Sequence, residues 1–196
     1  VESVTPQGVS VRVTGTRSPV PEPAVAVTLA QALLKSDKMD RVIRDAVMLG
    51  VSAVQPFVSR RTDVSRAAVR TGVRQGRWDR TVVSSVKQCG RAVVPPVLAT
   101  MDFEELLALT SGRVRLMFVE PGGAESATAA DLSSLEGQRP PDAIVLIGPE
   151  GGWDPREITH AQAAGVTVVT FGSRVLRADA AGAAVIAVLR YIWRDL

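Results

Sequence analysis

From residue 25 onward, short apolar runs alternate with longer stretches in which apolar residues recur every three or four positions. Residues 25–29 and 51–58 read as strands. Between them, Met39, Val42, Ile43, Ala46 and Val47 share one face of a helix over 37–49, which Gly50 ends. Residues 74–88 read as a basic helix, and 102–109 as a short helix with Phe103, Leu106 and Leu107 inward. The run 114–119 suits a buried strand and stops at Glu120-Pro121-Gly122-Gly123. A helical turn over 131–135 precedes two further strands, 143–147 and 166–171. The last segment, 178–193, is an apolar helix with Ala181, Ala184, Val185, Val188, Leu189, Ile192 and Trp193 at spacings of three and four. One of its faces should be buried against the sheet or a partner chain. Strands alternating with helices predict an α/β fold on a mainly parallel sheet. Ahead of it, Val9, Val11 and Val13 alternate and Pro19, Pro21 and Pro23 follow, which predicts the last strand of a barrel and a linker. The expected units are therefore 1–23 and 24–196.

The most informative stretch is 143–182, where two apolar runs end in glycine-containing loops. The first stops at Gly148-Pro149-Glu150-Gly151-Gly152, the second at Gly172. In open parallel sheets, ligands sit beyond the carboxyl ends of strands. Glycines there permit backbone angles closed to other residues and let a ligand approach the main chain. Asp154 is a good N-cap, Pro155 fits the first helical position, and Glu157 completes a capping-box spacing, with Gly165 placed to end the helix. A tight strand-to-helix turn with no ligand would carry the same glycines. Neither a Walker A motif nor Gly-x-Gly-x-x-Gly after a strand is present, so a standard phosphate cradle is unsupported.

Composition narrows the chemistry. One cysteine, Cys89, excludes an internal disulfide, and one histidine, His160, argues against a histidine metal centre; no metal is expected. His160 reads as a surface or packing residue. No apolar run approaches the ~20 residues needed to cross a membrane, and a reducing cytoplasm fits the cysteine usage. The net charge of +3 hides an asymmetry: residues 1–91 carry +8 and the remainder −5. Nine basic residues face two acidic ones between Arg60 and Arg91. Arginine dominates this set, and its planar fork suits phosphate. Arg60, Arg61, Arg74, Arg77, Arg80 and Arg91 are the candidate RNA-binding residues, against the plainer reading of a solvated helix face.

The pair of loops resembles the C-terminal signature of the RsmE-type methyltransferases of the SPOUT superfamily. The residues that carry the likeness are Gly148-Pro149-Glu150-Gly151-Gly152 and Phe171-Gly172-Ser173-Arg174-Val175-Leu176-Arg177 with Asp179-Ala180-Ala181. Lys35-Ser36-Asp37-Lys38-Met39-Asp40 and Gln88-Cys89-Gly90-Arg91 with Val94-Pro95 agree with it. The resemblance covers about residue 25 to the end. Two departures stand out. Ala178-Asp179-Ala180-Ala181 replaces the family's Thr-Glu-Thr-Ala, removing two hydroxyls and shortening the carboxylate. Met48 stands where the family favours glutamate.

That resemblance implies S-adenosylmethionine-dependent methylation of N3 of a uridine in small-subunit ribosomal RNA, acting on the RNA or the assembled subunit. It also implies a C-terminal trefoil knot, a homodimer with the last helix near the interface, and the remnant of an N-terminal PUA-like β-barrel. The cofactor-binding residues it implies are Phe118, Glu120, Pro121, Ile147, Gly148, Glu150, Gly151, Phe171, Gly172, Val175, Leu176 and Arg177. Among these, Val175 and Leu176 would pack on the adenine, and Glu150 would meet a polar or cationic part of the cofactor. Arg91 and Arg177 are the catalytic candidates, as donors to the uracil oxygens as N3 loses its proton. Two other readings stay open: an enzyme of the same superfamily with another RNA target, and a non-catalytic RNA-binding protein of the same fold.

Overall fold

The chain opens with an antiparallel hairpin, β1 (Ser3–Thr5) and β2 (Gly8–Ser10), whose residues are all exposed. It stands where one strand through Val13 was expected; the turn between Thr5 and Gly8 sets a register in which Ser3 lies opposite Ser10, and residues 11–13 fall outside the pairing. The structure is a computed structural model that describes residues 1–64, 73–108, 114–122 and 129–195, with 73 and 74 by backbone alone.

Beyond the hairpin lies a six-stranded, wholly parallel sheet. Its strands are β3 (Ala26–Ala32), β4 (Ala53–Val58), β5 (Met101–Asp102), β6 (Val114–Val119), β7 (Asp142–Ile147) and β8 (Thr167–Thr170). Their spatial order is β5-β4-β3-β7-β6-β8. The chain therefore builds one half outward from β3, crosses to the other side for β6, and lays β8 outside β6 after β7. Proline at position 56 has no N–H to donate, and β4 is correspondingly paired on its outer side only in pieces. These are Val54 with Pro96 and Leu98, then Phe57 and Val58 with β5.

Both faces of the sheet are covered, which is why its strands read as near-continuous apolar runs. One face carries α1 (Lys38–Met48), α2 (Val73–Cys89) and α5 (Ala178–Ile192). Leu29, Leu116, Val145 and Ile147 pack there with Ile43, Trp78, Val82, Ile186 and Leu189. The other carries α3 (Phe103–Ala108) and α4 (Pro155–Ala163), whose Phe103, Leu107, Ile158 and Ala161 meet Phe57, Met117, Ile144 and Leu146. Along β7, Ala143, Val145 and Ile147 face one way and Ile144 and Leu146 the other, as a period of two requires. Each fully buried Leu, Ile or Phe contributes about 1.5–3 kcal/mol, so these two layers dominate the fold's stability.

The C-terminal end is tied in by a buried ion pair. Arg190 Nη1 donates to Asp195 Oδ2 at 2.6 Å and to Val25 O at 2.7 Å, while Nη2 donates to Gly50 O at 2.7 Å. Asp195 also accepts from the N–H groups of Ala24 and Val25 at 2.7 and 2.9 Å. The start of β3, the end of α1 and the end of α5 are thereby held together.

Candidate active site

Because β6, β7 and β8 are parallel neighbours, their carboxyl ends emerge on one edge of the sheet. Phe118 lies beside Ile147, and Val119 beside Thr170. A cavity of about 350 Å³ opens there. Phe118, Ile147, Phe171, Leu176, Ala181 and Val185 give it apolar walls, and Phe118 and Phe171 meet edge-on at 6.5 Å. Its rim is charged: Lys38, Glu120, Glu150, Arg174, Arg177 and Asp179.

The loop after β7 is held by its own tryptophan. Trp153 Nε1 donates to Phe118 O at 2.8 Å, and the indole stacks on Phe57 at 5.9 Å with 14° between the planes. A Cβ on Gly148 would stand 3.0 Å from that ring. One on Gly151 would stand 3.1 Å from Arg61 Cβ, and one on Gly152, where φ is +68°, 3.1 Å from Glu120 Oε1. These three glycines were expected to admit a ligand; their immediate demand is the protein's own packing. Gly172, at φ +67°, is different, since a Cβ there would meet nothing within 4 Å. The capping box forms as expected: Asp154 Oδ1 accepts from Arg156 N at 3.0 Å, and Glu157 Oε2 accepts from Asp154 N at 3.0 Å. Trp153 and Ile158 both bury in the same core, a hydrophobic staple around that cap. Glu157 Oε1 accepts from Arg60 N at 2.9 Å, binding the end of β4 to the same corner.

On the rim, Glu150 Oε1 accepts from Lys38 Nζ at 2.8 Å and from Lys35 N at 3.2 Å. Burial pushes the Glu150 carboxyl up, but the hydrogen bond from Lys38, the backbone donors and the lysine charge outweigh it and hold it below the ordinary value. Arg177 grips Asp179 with Nε and Nη2, both at 3.0 Å. That hydrogen bond is the main reason the Asp179 carboxyl lies low, and Lys38 adds to it through space. The shorter carboxylate at this position thus still makes a two-point contact with Arg177. Arg174 and Glu120 have no hydrogen bond or ion pair among the described residues. Among the described residues, the site offers an apolar slot bordered by carboxylates and by one cation, Arg174, that has no partner.

Of the residues expected at a cofactor site, Phe118, Glu120, Pro121, Ile147, Gly148, Glu150, Phe171, Val175, Leu176 and Arg177 line this cavity. Gly151 and Gly172 do not. Lys38, Trp153, Arg174, Asp179, Ala181 and Val185 line it without having been named as cofactor-binding residues. Arg174 and Asp179 flank residues that were, so sequence proximity was the available signal. Lys38 reaches Glu150 across 112 positions, and no local pattern announces that.

Arg91, expected as a substrate donor, does not line this cavity and is held by the fold itself. Its guanidinium forks onto Glu22 through Nε at 3.2 Å and Nη2, with Nη1 donating to Val47 O at 2.8 Å and Nη2 to Val51 O at 3.1 Å. The side chain is 10% exposed. It fastens residue 22 to the end of α1 with four of its five N–H donors. The other basic residues scatter. Arg61 Nη1 donates to Gly151 O at 3.2 Å, Arg77 pairs with Asp40, and Arg80 Nε donates to Gly76 O at 3.0 Å. The side chain of Arg74, and Arg66 and Arg70 altogether, lie outside the described residues. His160 is exposed, with Nδ1 2.9 Å from Glu104 Oε2. Among the described residues no cluster of His, Cys, Asp and Glu could hold a metal ion, and no helix is long and apolar enough to cross a membrane.

Comparison with known proteins agrees with this geometry. Residues 21–190 match the model of the RNA methyltransferase domain. The ribosomal RNA small subunit methyltransferase E of Synechocystis sp. is 32% identical over 152 residues, 78% of this chain and 48% of that protein. Its counterpart from Mesomycoplasma hyopneumoniae is 29% identical over 161 residues, 82% of this chain and 67% of that protein. The chain therefore spans about half to two-thirds of the length of these relatives. The crystal structure of a ribosomal RNA small subunit methyltransferase E from Neisseria gonorrhoeae, bound to S-adenosyl methionine, superimposes with a TM-score of 0.76 at 36% identity. That match covers 88% of this chain and 68% of that one. The chain belongs to the RNA methyltransferase domain family, among its ribosomal RNA small subunit methyltransferase E members.

Proposed function

We propose that this chain binds S-adenosylmethionine at the carboxyl ends of β6, β7 and β8 and methylates N3 of a uridine in small-subunit ribosomal RNA. The observation that carries the reading is the meeting of three parallel strand ends at one apolar cavity with a charged rim. Its volume, about 350 Å³, falls in the ~300–1,000 Å³ range of small-molecule sites. The residues fit the cofactor: apolar side chains for adenine, and carboxylates for the polar and cationic groups. When bound, S-adenosylmethionine supplies an activated methyl group. The chain's part is to orient and to hold charge. Phe118, Ile147, Leu176 and Val175 would hold the adenine, with backbone groups of 147–148 and 171–176 along its edge. Glu120, without a partner among the described residues, and Glu150 would meet the ribose or amino acid end, with Pro121 beside them. On the substrate side, Arg177 would stabilise the negative charge that uracil gains as N3 gives up its proton.

The same reading extends to the whole protein. Residues 1–23 would be the end of a PUA-like barrel with its linker, and 24–196 the methyltransferase domain. The order β7-β6-β8, with α5 returning against α1, supports a C-terminal trefoil knot. The partners would be small-subunit ribosomal RNA or the assembled subunit and a second copy of the chain, in the cytoplasm. The test begins with calorimetric titration of S-adenosylmethionine. Transfer of labelled methyl to small-subunit particles and nucleoside digestion follow, with 3-methyluridine as the expected product. A different methylated nucleoside would reassign the target; a folded chain that binds no cofactor would overturn the reading.

A further inference from the structure

We infer that the groove between α1 and α2 holds the sugar–phosphate backbone of the RNA strand beside the target nucleotide, an inference that rests on the RNA methyltransferase reading. The groove, about 620 Å³, is lined by Arg44 and Met48 from α1 and by Arg77, Arg80, Ser84 and Gln88 among the α2 residues. No acidic side chain lines it among the described residues. Arg44, Ser84 and Gln88 make no hydrogen bond or ion pair among those residues, and Arg80 commits only its Nε, to Gly76 O. Arg80, Ser84 and Gln88 are four residues apart, so they form one row of free donors along about 12 Å of helix. Arg44 faces them from the other wall. Guanidinium forks beside hydroxyl and amide donors match phosphate oxygens. Met48, 39% exposed, adds apolar surface where a ribose or base can rest.

Position argues for RNA over another polyanion. Arg77 also borders a depression formed by Ser36, Asp37, Met39, Asp40 and Trp78 at the start of α1. Asp40 is neutralised there by Arg77, and Asp37 lies 3.5 Å from Arg41. The next residue inward, Lys38, lines the cofactor cavity. A strand in the groove is thus led past α1 to the rim where methyl transfer would occur. Arg44 gave no sign of this from the sequence, being an ordinary polar position of an amphipathic helix, and Met48 stood out only as a departure where the family favours glutamate.

The test is equilibrium binding of a fluorescein-labelled single-stranded RNA of mixed sequence, followed by anisotropy across a salt series. The proteins are the wild type, the double variant Arg44→Gln/Arg80→Gln, and Met48→Glu, which sets a carboxylate one helical turn from Arg44. In the double variant, affinity should fall about tenfold and the log–log salt slope should shrink by about 1.4, at roughly 0.7 per lost phosphate contact. Met48→Glu should weaken binding in the same direction, with unchanged melting in both variants. Wild-type affinity and slope in the folded variants would overturn the inference. So would poly-glutamate displacing the RNA as well as RNA itself does, which would mark a surface for acidic protein. Calorimetric cofactor binding on the same preparations tests the cavity separately. Its loss beside the expected RNA results would fault the methyltransferase reading and leave the groove's affinity for RNA standing.

Discussion

Trp153 Nε1 donates to the main-chain oxygen of Phe118 at 2.8 Å, joining the loop after β7 to the end of β6. The donor is buried against Phe57 and Phe103, with Phe103 at 5.7 Å. Trp153→Phe would keep much of the stacking and leave the Phe118 carbonyl without its partner. An unsatisfied buried carbonyl costs about 1–3 kcal/mol. Urea denaturation should register that loss, and cofactor affinity should fall with it because Phe118 lines the cavity.

Gly148 and Ala181 separate packing from ligand space. Gly148→Val forces atoms into the Trp153 ring, which a Cβ alone would approach to 3.0 Å. Overpacking of this kind costs about 1–3 kcal/mol, so this variant should melt early whether or not ligand is present. Ala181→Leu instead extends a side chain into the cavity from α5. It should weaken S-adenosylmethionine binding by about tenfold or more, worth ~1.4 kcal/mol, while the melting temperature of the free protein stays near wild type. Calorimetry beside thermal melts distinguishes the two.

Arg91→Gln should behave as a stability variant. It removes the fork onto Glu22 and the donors to Val47 and Val51 carbonyls. Loss of hydrogen bonds to a charged group costs about 1.5–3 kcal/mol. Denaturant midpoints should fall while cofactor affinity, measured well below the transition, is unchanged. A catalytic Arg91 would give the opposite pattern.

Asp195 sets a pH dependence at the far end of the molecule. Burial pushes its carboxyl up, but N–H donation from Val25 and Ala24 and the charge of Arg190 outweigh burial, and it titrates below the ordinary value. The unfolded chain therefore takes up this proton more readily than the folded one. The stabilisation is complete above the unfolded-state value, ~3.9, and is lost as pH falls through the lower folded-state value. Asp195→Asn should cost about 3–5 kcal/mol at neutral pH by leaving Arg190 buried without its counter-charge. Its stability should also decline less steeply than wild type below about pH 4.

The parts legible from sequence were those whose cause is local. The capping box at Asp154 and Glu157, the Gly165 stop, and the strand 114–119 depend on neighbours within a few positions. The three strand ends were legible too, because each is an apolar run with an abrupt stop. What escaped were relationships across the chain. Lys38 needs Glu150, and Arg91 needs Glu22, at separations of 112 and 69 positions. The two-residue strand β5 is too short for any period to show. Arginines 60–91 looked like one patch because spacing carries no burial; among the described ones, Arg61 turns to Gly151, Arg77 to Asp40 and Arg91 to Glu22.

The strand order has a temporal meaning. Glu120, Glu150 and Arg177 become neighbours only after β6 has been inserted between β7 and β8 and α5 has closed over the edge. A chain synthesised as far as residue 152 has its glycine loop and no pocket. The contacts that complete the site join residues far apart in the chain, a topology that slows folding. Methyl-donor binding would therefore report that the last forty or so residues have found their places, and an immature copy would be unable to withdraw cofactor from the cell.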